Sequence, residues 1–259
     1  MPYADLHVHT TRSDGSLELE AVPAAARHAG VDVVAVTDHD RVQPFDEPLI
    51  EREGVTIVHG IELRVEADDG QRLDLLGYGV EPSGAVAAMT ERIQSNRKER
   101  GRAIVDCVED RLGVDLGLTA REGFGRPHVA RAIDDHPDAD YDYQGAFDHL
   151  IGSECPCFVA REIPSFDRGR EVLADAAELV SLAHPLRYDD LEAALVRAAK
   201  LDAVELHYPY DREVDLEPIE RTIERKGLLV TGGSDAHDAE LGRAGLSREE
   251  YERLGLTER

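Results

Sequence analysis

Positive charge is scarce in this chain and lysine scarcer still: Lys98, Lys200 and Lys226 are the only lysines beside 26 arginines, against 54 acidic residues in 259 positions. The formal charge of −25 excludes a broad nucleic-acid-binding or anionic-membrane surface, so any bound phosphate has to be met by locally placed cations. A lysine-poor acidic surface is similar to that of halophilic proteins, whose self-repulsion is screened by salt. Cysteine is also rare. Cys107, Cys155 and Cys157 form an odd set with no signal-like segment ahead of them and no apolar run of about 18 residues that could span a membrane. The expected location is the cytoplasm, with the cysteines as structural thiols. The Cys155-Pro156-Cys157 spacing is tighter than the two to four intervening residues of most metal-binding pairs, and no second pair exists.

What is present is an alternation of short apolar strands with helical segments. A length of 259 residues matches the roughly 250 typical of an α/β barrel. Residues 17–29 carry a helical pattern stopped by Gly30. The run Val31 to Val36 is β-branched, short and bounded by turn signals, the signature of a buried parallel strand. Strands follow at 55–58 and, after an Asp68-Asp69-Gly70 turn, at 72–78 as a hairpin partner. From about residue 83 to 157 strand-like runs vanish and a long charged helix leads into shorter ones, which predicts an inserted helical subdomain (83–157) between barrel segments 1–82 and 158–259. Within it, Gly125-Arg126-Pro127-His128 opens a helix with Pro127 in its first turn. Alternation then resumes, with strands at 179–182, 203–206 and 228–231.

The polar ligand types fall at one kind of place. His7 and His9 lie two apart, so an extended strand sends both imidazoles from the same face. Asp14 follows in a Ser- and Gly-containing loop that can return a carboxylate to the same point. His39, Glu62, His184 and the Asp235/His237 pair each stand at or just past the end of a different strand. In a parallel barrel these ends form the rim that carries active sites. Imidazole and carboxylate together suit zinc, iron or manganese.

The segments Asp5-Leu6-His7-Val8-His9-Thr10 with Ser13-Asp14-Gly15, Thr37-Asp38-His39, Gly60-Ile61-Glu62, Ala183-His184-Pro185 and Gly233-Ser234-Asp235-Ala236-His237 resemble, in order, the motifs of the polymerase and histidinol phosphatase (PHP) superfamily. The resemblance covers nearly the whole chain. It implies a distorted seven-stranded α/β barrel, TIM-barrel-like, that holds two or three divalent ions (manganese, iron or zinc, with magnesium possible) and hydrolyses phosphoesters with a metal-activated water. The helical insertion, with Gly125-Arg126-Pro127-His128-Val129-Ala130, is most similar to the branch acting on nucleoside 3′,5′-bisphosphates or on the 5′ end of short RNA. Carried over by position, His7, His9, Glu62 and Asp235 hold one ion, Asp14, His39 and His237 a second, and Glu62 with His184 a third. Asp74 stands where the family usually has a histidine; as a harder ligand it either shifts that third site toward manganese or magnesium or leaves it weakly filled. Asp38 is expected to orient a ligand histidine, and Arg126, His128 and Arg161 are expected to bind substrate phosphate. Two alternatives stand beside this: a phosphatase for another small metabolite such as histidinol phosphate, and a catalytically silent barrel.

Overall fold

The computed structural model describes residues 1–81 and 84–256, so the expected boundary at 82/83 lies outside the described residues. The chain divides into two compact units, Met1–Thr90 with Ile163–Arg259, and Glu91–Glu162.

The first unit is an α/β half-barrel. Strand β1 (Ala4–Val8) is followed by a 3-10 turn and helix α1 (Val22–Ala29), and α1 ends on Gly30 in the left-handed region (φ 69°). Strand β2 (Val33–Val36) comes next, then β3 (Leu49–Arg52), β4 (Val55–Glu66) and β5 (Arg72–Tyr78). Helix α2 (Gly84–Leu112) leaves this unit, and helices α3 (Arg126–Asp134) and α4 (Tyr143–Ala146) belong to the second. The first unit resumes with helix α5 (Phe166–Ala176), strand β6 (Leu179–Leu182), helix α6 (Leu191–Ala198), strand β7 (Ala203–His207), helix α7 (Glu217–Lys226), strand β8 (Leu229–Gly232) and helix α8 (Arg248–Leu254).

Seven strands form one curled sheet in the order β1-β2-β4-β5-β6-β7-β8, and β3 adds to β4 as an eighth. The sequence reading had no strand at 49–52. Its last two residues, Glu51 and Arg52, are both charged and exposed, which leaves no apolar alternation to read, but Glu53 and Gly54 both take positive φ (55° and 80°) and close a two-residue hairpin onto β4. The ends of the sheet approach each other where the His9 N–H donates to the Ala236 carbonyl (2.9 Å) and Val8 bridges Ala236.

Strand β5 runs antiparallel to both β4 and β6. Its first residues therefore lie at the end of the sheet where β4 and β6 finish, which brings Asp74 to the rim. The interior is filled by Leu6, Ala35, Val58, Leu76 and Tyr78, while Val8, Val34, Val36 and Ile57 pack outward against α1. Neighbouring residues of β2 (Val34 and Ala35) and of β4 (Ile57 and Val58) thus face opposite layers, as the period-2 geometry requires, while β1 sends Leu6 and Val8 into different layers across the irregularity between Asp5 and Val8.

The second unit has its own apolar core of Ile104, Val108, Val129, Ile133 and Ile151. Here the expectation of thiols is corrected. Cys107, on α2, and Cys157 have Cα atoms 5.6 Å apart and are joined in a disulfide, leaving Cys155 free. Burial of Cys157 in the core beside α2 brings the two sulfurs together, a proximity that their separation of 50 residues conceals. Among the described residues no helix is long and apolar enough to cross a membrane.

Candidate metal centre

Strand β1 delivers His7 and, one residue past its end, His9; both are fully buried, with rings 5.1 Å apart. The His9 ring lies 4.6 Å from that of His39, beyond β2, and 4.3 Å from that of His237, beyond β8. Such close approach needs backbone without side chains at two points. A Cβ on Gly233 would lie 2.3 Å from the His7 nitrogen, and one on Gly15 would lie 2.5 Å from the His9 carbonyl oxygen. The glycines let the 233–237 segment and the 10–15 loop lie directly on β1.

That loop returns Asp14 as expected. Its Oδ1 is 3.3 Å from His237 Nε2, and its Oδ2 is 3.6 Å from His39 Nε2. Buried Glu62 stands at the centre of the whole cluster. Its Oε1 is 3.0 Å from His184 Nε2 and 3.5 Å from His7 Nε2; its Oε2 is 2.8 Å from His39 Nδ1 and 3.4 Å from His9 Nε2. Asp235 Oδ1 is 3.4 Å from His7 Nε2 and 3.1 Å from His9 Nε2. His184 (φ 27°) and Asp235 (φ 49°) both hold strained positive-φ backbone, a strain that sites of chemistry commonly store.

The donor set fits cations. His7 Nε2, His9 Nδ1 and His184 Nδ1 are buried yet lack a hydrogen-bond partner. Leaving so many polar atoms unsatisfied is costly unless something else engages them. Three sets each bring one ligand atom per residue within 4.8 Å of one another: His9, Asp14, His39 and His237; His7, His9 and Glu62; Glu62, Asp74 and His184. Nitrogen and oxygen donors of this kind suit first-row divalent ions.

Electrostatics give the same account. Burial disfavours protonation of His7, but the Glu205, Asp235 and Glu62 carboxylates outweigh it and hold the imidazole well above its ordinary range. His39 is pushed up to about 9 against its burial, chiefly by Glu62. Burial would raise Glu62 and Asp235, yet the surrounding imidazoles hold both carboxylates below the usual range. His9 goes the other way, lowered by burial. The cluster demands positive charge, and a divalent ion supplies it while displacing protons from the rings.

Four residues of the site escaped sequence reading. Glu205, inside β7 and fully buried, accepts from His7 Nδ1 (3.0 Å) and from the His184 N–H (2.7 Å). It is therefore the carboxylate that fixes the orientation of the His7 ring. Asp38 was expected to orient a ligand histidine and does not. Its oxygens are taken by the Thr10 N–H (2.7 Å) and hydroxyl (2.7 Å), the Ser13 hydroxyl (2.6 Å) and the Gln43 amide (2.9 Å), so it braces the 10–14 loop instead. Asp5, in the first motif, is structural as well. It accepts from the Ser234 and Gly242 N–H groups (2.9 and 2.8 Å) and ties β1 to the segment carrying Asp235 and His237. Arg187 and Tyr208 both donate to Asp235 Oδ2 (3.0 and 2.9 Å). Arg64 pairs with Asp74, donating from Nε and, at 2.7 Å, from Nη2. The signal for Arg187 was its place three residues after His184; Glu205 had none beyond an acid inside an apolar strand.

Beside the cluster opens a cavity of about 570 Å³, lined by Asp14, His39, Glu62, Asp74, His184, Asp235 and His237 together with Arg64, Arg72, Arg187 and Tyr188. Arg126, His128 and Arg161 belong to the helical unit. There the Arg126 guanidinium donates to the Ile151 carbonyl (3.1 Å) and covers the Phe147 ring, and His128 Nδ1 accepts from the Gly125 N–H (3.1 Å).

Comparison with known proteins agrees with this geometry. A family model described as PHP domain matches residues 5–153. A phosphoribosyl 1,2-cyclic phosphate 1,2-diphosphodiesterase of Eggerthella lenta is 31% identical over 90% of this chain and 93% of its own. A 3′,5′-nucleoside bisphosphate phosphatase of Chromobacterium violaceum is 27% identical over 92% of this chain and 88% of its own. The fold is shared with a metal-dependent phosphoesterase structure from Bifidobacterium adolescentis (TM-score 0.76, 23% identity, 97% of this chain and 94% of that one). With the motif residues gathered at one rim and matches that span the chain, this protein belongs to the PHP domain family and is a metal-dependent phosphoesterase.

Proposed function

We propose that this chain hydrolyses a phosphate ester of a small nucleotide that carries a second phosphate, such as a nucleoside 3′,5′-bisphosphate or the 5′ end of a short RNA. The observation that carries the reading is the cavity in which Arg64, Arg72 and Arg187 share walls with the histidine and carboxylate cluster. In a chain of net charge −25, three guanidiniums at one opening concentrate positive charge where a second phosphate needs it.

The ligand assignment is His7, His9, Glu62 and Asp235 for one ion and Asp14, His39 and His237 for another, with Glu62, His184 and Asp74 framing a third position. Divalent ions held there, with manganese, iron or zinc favoured by the mixed nitrogen and oxygen donors, would polarise the phosphoryl group and lower the pKa of water. The protein's own groups do the rest. Glu205 fixes the His7 ring so that Nε2 faces the cluster, Arg187 offers donors at the cavity edge, and Tyr208, whose pKa is raised by burial and Asp235, keeps its proton as a donor. Arg126, His128 and Arg161 are proposed as further phosphate contacts, although the contacts described for Arg126 and His128 are internal to their own unit.

A second reading is favoured by the 31% identical relative: opening of a cyclic phosphodiester on a sugar, which uses the same ions and arginines. The acidic, lysine-poor composition is read as adaptation to a saline milieu; the cytoplasmic reading rests on free thiols, and the Cys107–Cys157 bond weighs against a strongly reducing compartment. The test is phosphate release by metal-stripped protein given Mn, Mg or Zn, across nucleoside bisphosphates, 5′-phosphorylated short RNA, cyclic sugar phosphates and histidinol phosphate. Preference for the bisphosphates supports the first reading; activity on the cyclic esters alone replaces it with the second.

A further inference from the structure

We infer that Arg64 takes the charge position of a third ion, so that this centre works with two metals and one fixed guanidinium. The inference rests on the metal-centre reading above and concerns what fills its third corner. Arg64 and Asp74 are direct cross-strand partners on β4 and β5, and both oxygens of the Asp74 carboxylate are engaged, by Arg64 Nε and, at 2.7 Å, by Nη2. This is the bidentate fork at which arginine excels.

The Asp74 side chain is 3% exposed, and a buried carboxylate is retained only with a counter-charge. Arg64 is that counter-charge. The backbone adds a further tie, the Arg64 N–H donating to Asp40 Oδ1 (3.1 Å). Asp74 Oδ2 is also 3.8 Å from His184 Nε2, which is 3.0 Å from Glu62 Oε1. An ion at this corner would need an Asp74 oxygen that Arg64 already holds. Without Asp74 it would have His184 and a Glu62 shared with the other ions, fewer protein ligands than the three or four of most transition-metal sites. Histidine at position 74 would present no carboxylate for Arg64 to grip; aspartate does. Because Arg64 also lines the cavity, a substrate phosphate entering this corner meets a guanidinium.

The test is metal counting by mass spectrometry on stripped protein reconstituted with Mn(II), beside phosphate release. The parent should bind two ions per chain. Arg64→Leu, which frees Asp74, should bind three, and Arg64→Leu with Asp74→Asn should return to two. Three ions in the parent overturn the inference while leaving the metal-centre reading intact, and this outcome needs no variant to fold. Two ions in Arg64→Leu, with its circular dichroism unchanged, overturn it as well. A parent that retains no Mn(II) and releases no phosphate from any ester defeats the underlying reading instead.

Discussion

The innermost residues of the half-barrel rim and the core of the helical unit are buried to the same degree and filled in opposite ways. At the rim His7, His9, Glu62 and Glu205 are at most 1% exposed and polar; in the helical unit the enclosed side chains are Ile104, Val108, Val129, Ile133 and Ile151, with a disulfide beside them. Burial of apolar groups stabilises a fold, whereas burial of partnerless imidazoles weakens it and is kept for chemistry. Damage to the two regions should therefore separate cleanly into lost turnover and lost stability.

The largest separation is expected between Asp235→Ala or His9→Ala and Ile133→Ala. The rim variants should lose phosphate release by roughly a thousandfold or more, because the ions supply several kcal/mol of transition-state stabilisation. The thermal midpoint of the metal-free protein should hold or rise. Ile133→Ala should cost about 2–5 kcal/mol of stability through the cavity it leaves, with an unchanged metal-to-protein ratio. A rim variant that melts early and stays active would break the comparison.

Next in size is Glu205→Gln, which keeps the shape of the group that orients His7 and removes its charge. Metal affinity should fall about 10- to 100-fold, the usual effect of losing such a partner, which equilibrium dialysis against Mn(II) measures. Unaltered affinity would leave Glu205 a packing residue. Cys107→Ser sharpens the other side of the comparison. It should lower stability by about 2–4 kcal/mol in denaturant unfolding and leave metal binding untouched.

The smallest effect concerns His59, buried on β4 with its ring edge-on to Phe45 and lowered to about 4 by burial and then by Arg12. The unfolded chain takes up this proton near pH 6.5 and the folded one near 4. His59 thus costs no stability above pH 6.5, and stability falls as pH drops from there toward 4, by at most about 3 kcal/mol. Nε2 accepts from the Gln43 N–H (2.8 Å), a bond that His59→Gln can replace. The midpoint of His59→Gln should decline less steeply than the parent's over that window; parallel declines would remove the assignment.

The rim was legible in the sequence, as were the long first helix of the insertion and the helix opening at Gly125-Arg126-Pro127, while the partners that act through other groups and the disulfide were not, for physical reasons. Metal chemistry restricts residue type, so His7, His9, Asp14, His39, Glu62, His184, Asp235 and His237 stand out at strand ends even before the strands are seen. The β-branched runs fixed β2, β6 and β7 to within a residue or two, because two-sided burial leaves few other residue types possible. Groups that act through other groups left no such mark. Glu205 is one acid among 54 acidic residues, and its role exists only once β7 brings it against His7. Arg64 and Asp74 are ten positions apart, and pair only because the hairpin register sets them opposite each other. The Cys107–Cys157 bond likewise depends on tertiary proximity that no local pattern encodes.

The central claim, that these rim residues form a working metal centre, is tested most directly by titrating chelator-stripped protein with Mn(II) while following both bound ions and phosphate released from a nucleoside 3′,5′-bisphosphate. Activity should be absent at the start and rise in step with occupancy, saturating when the sites fill, and Asp235→Ala should fail to follow. Phosphate release at full rate from the stripped protein, unaffected by added metal, would contradict the account.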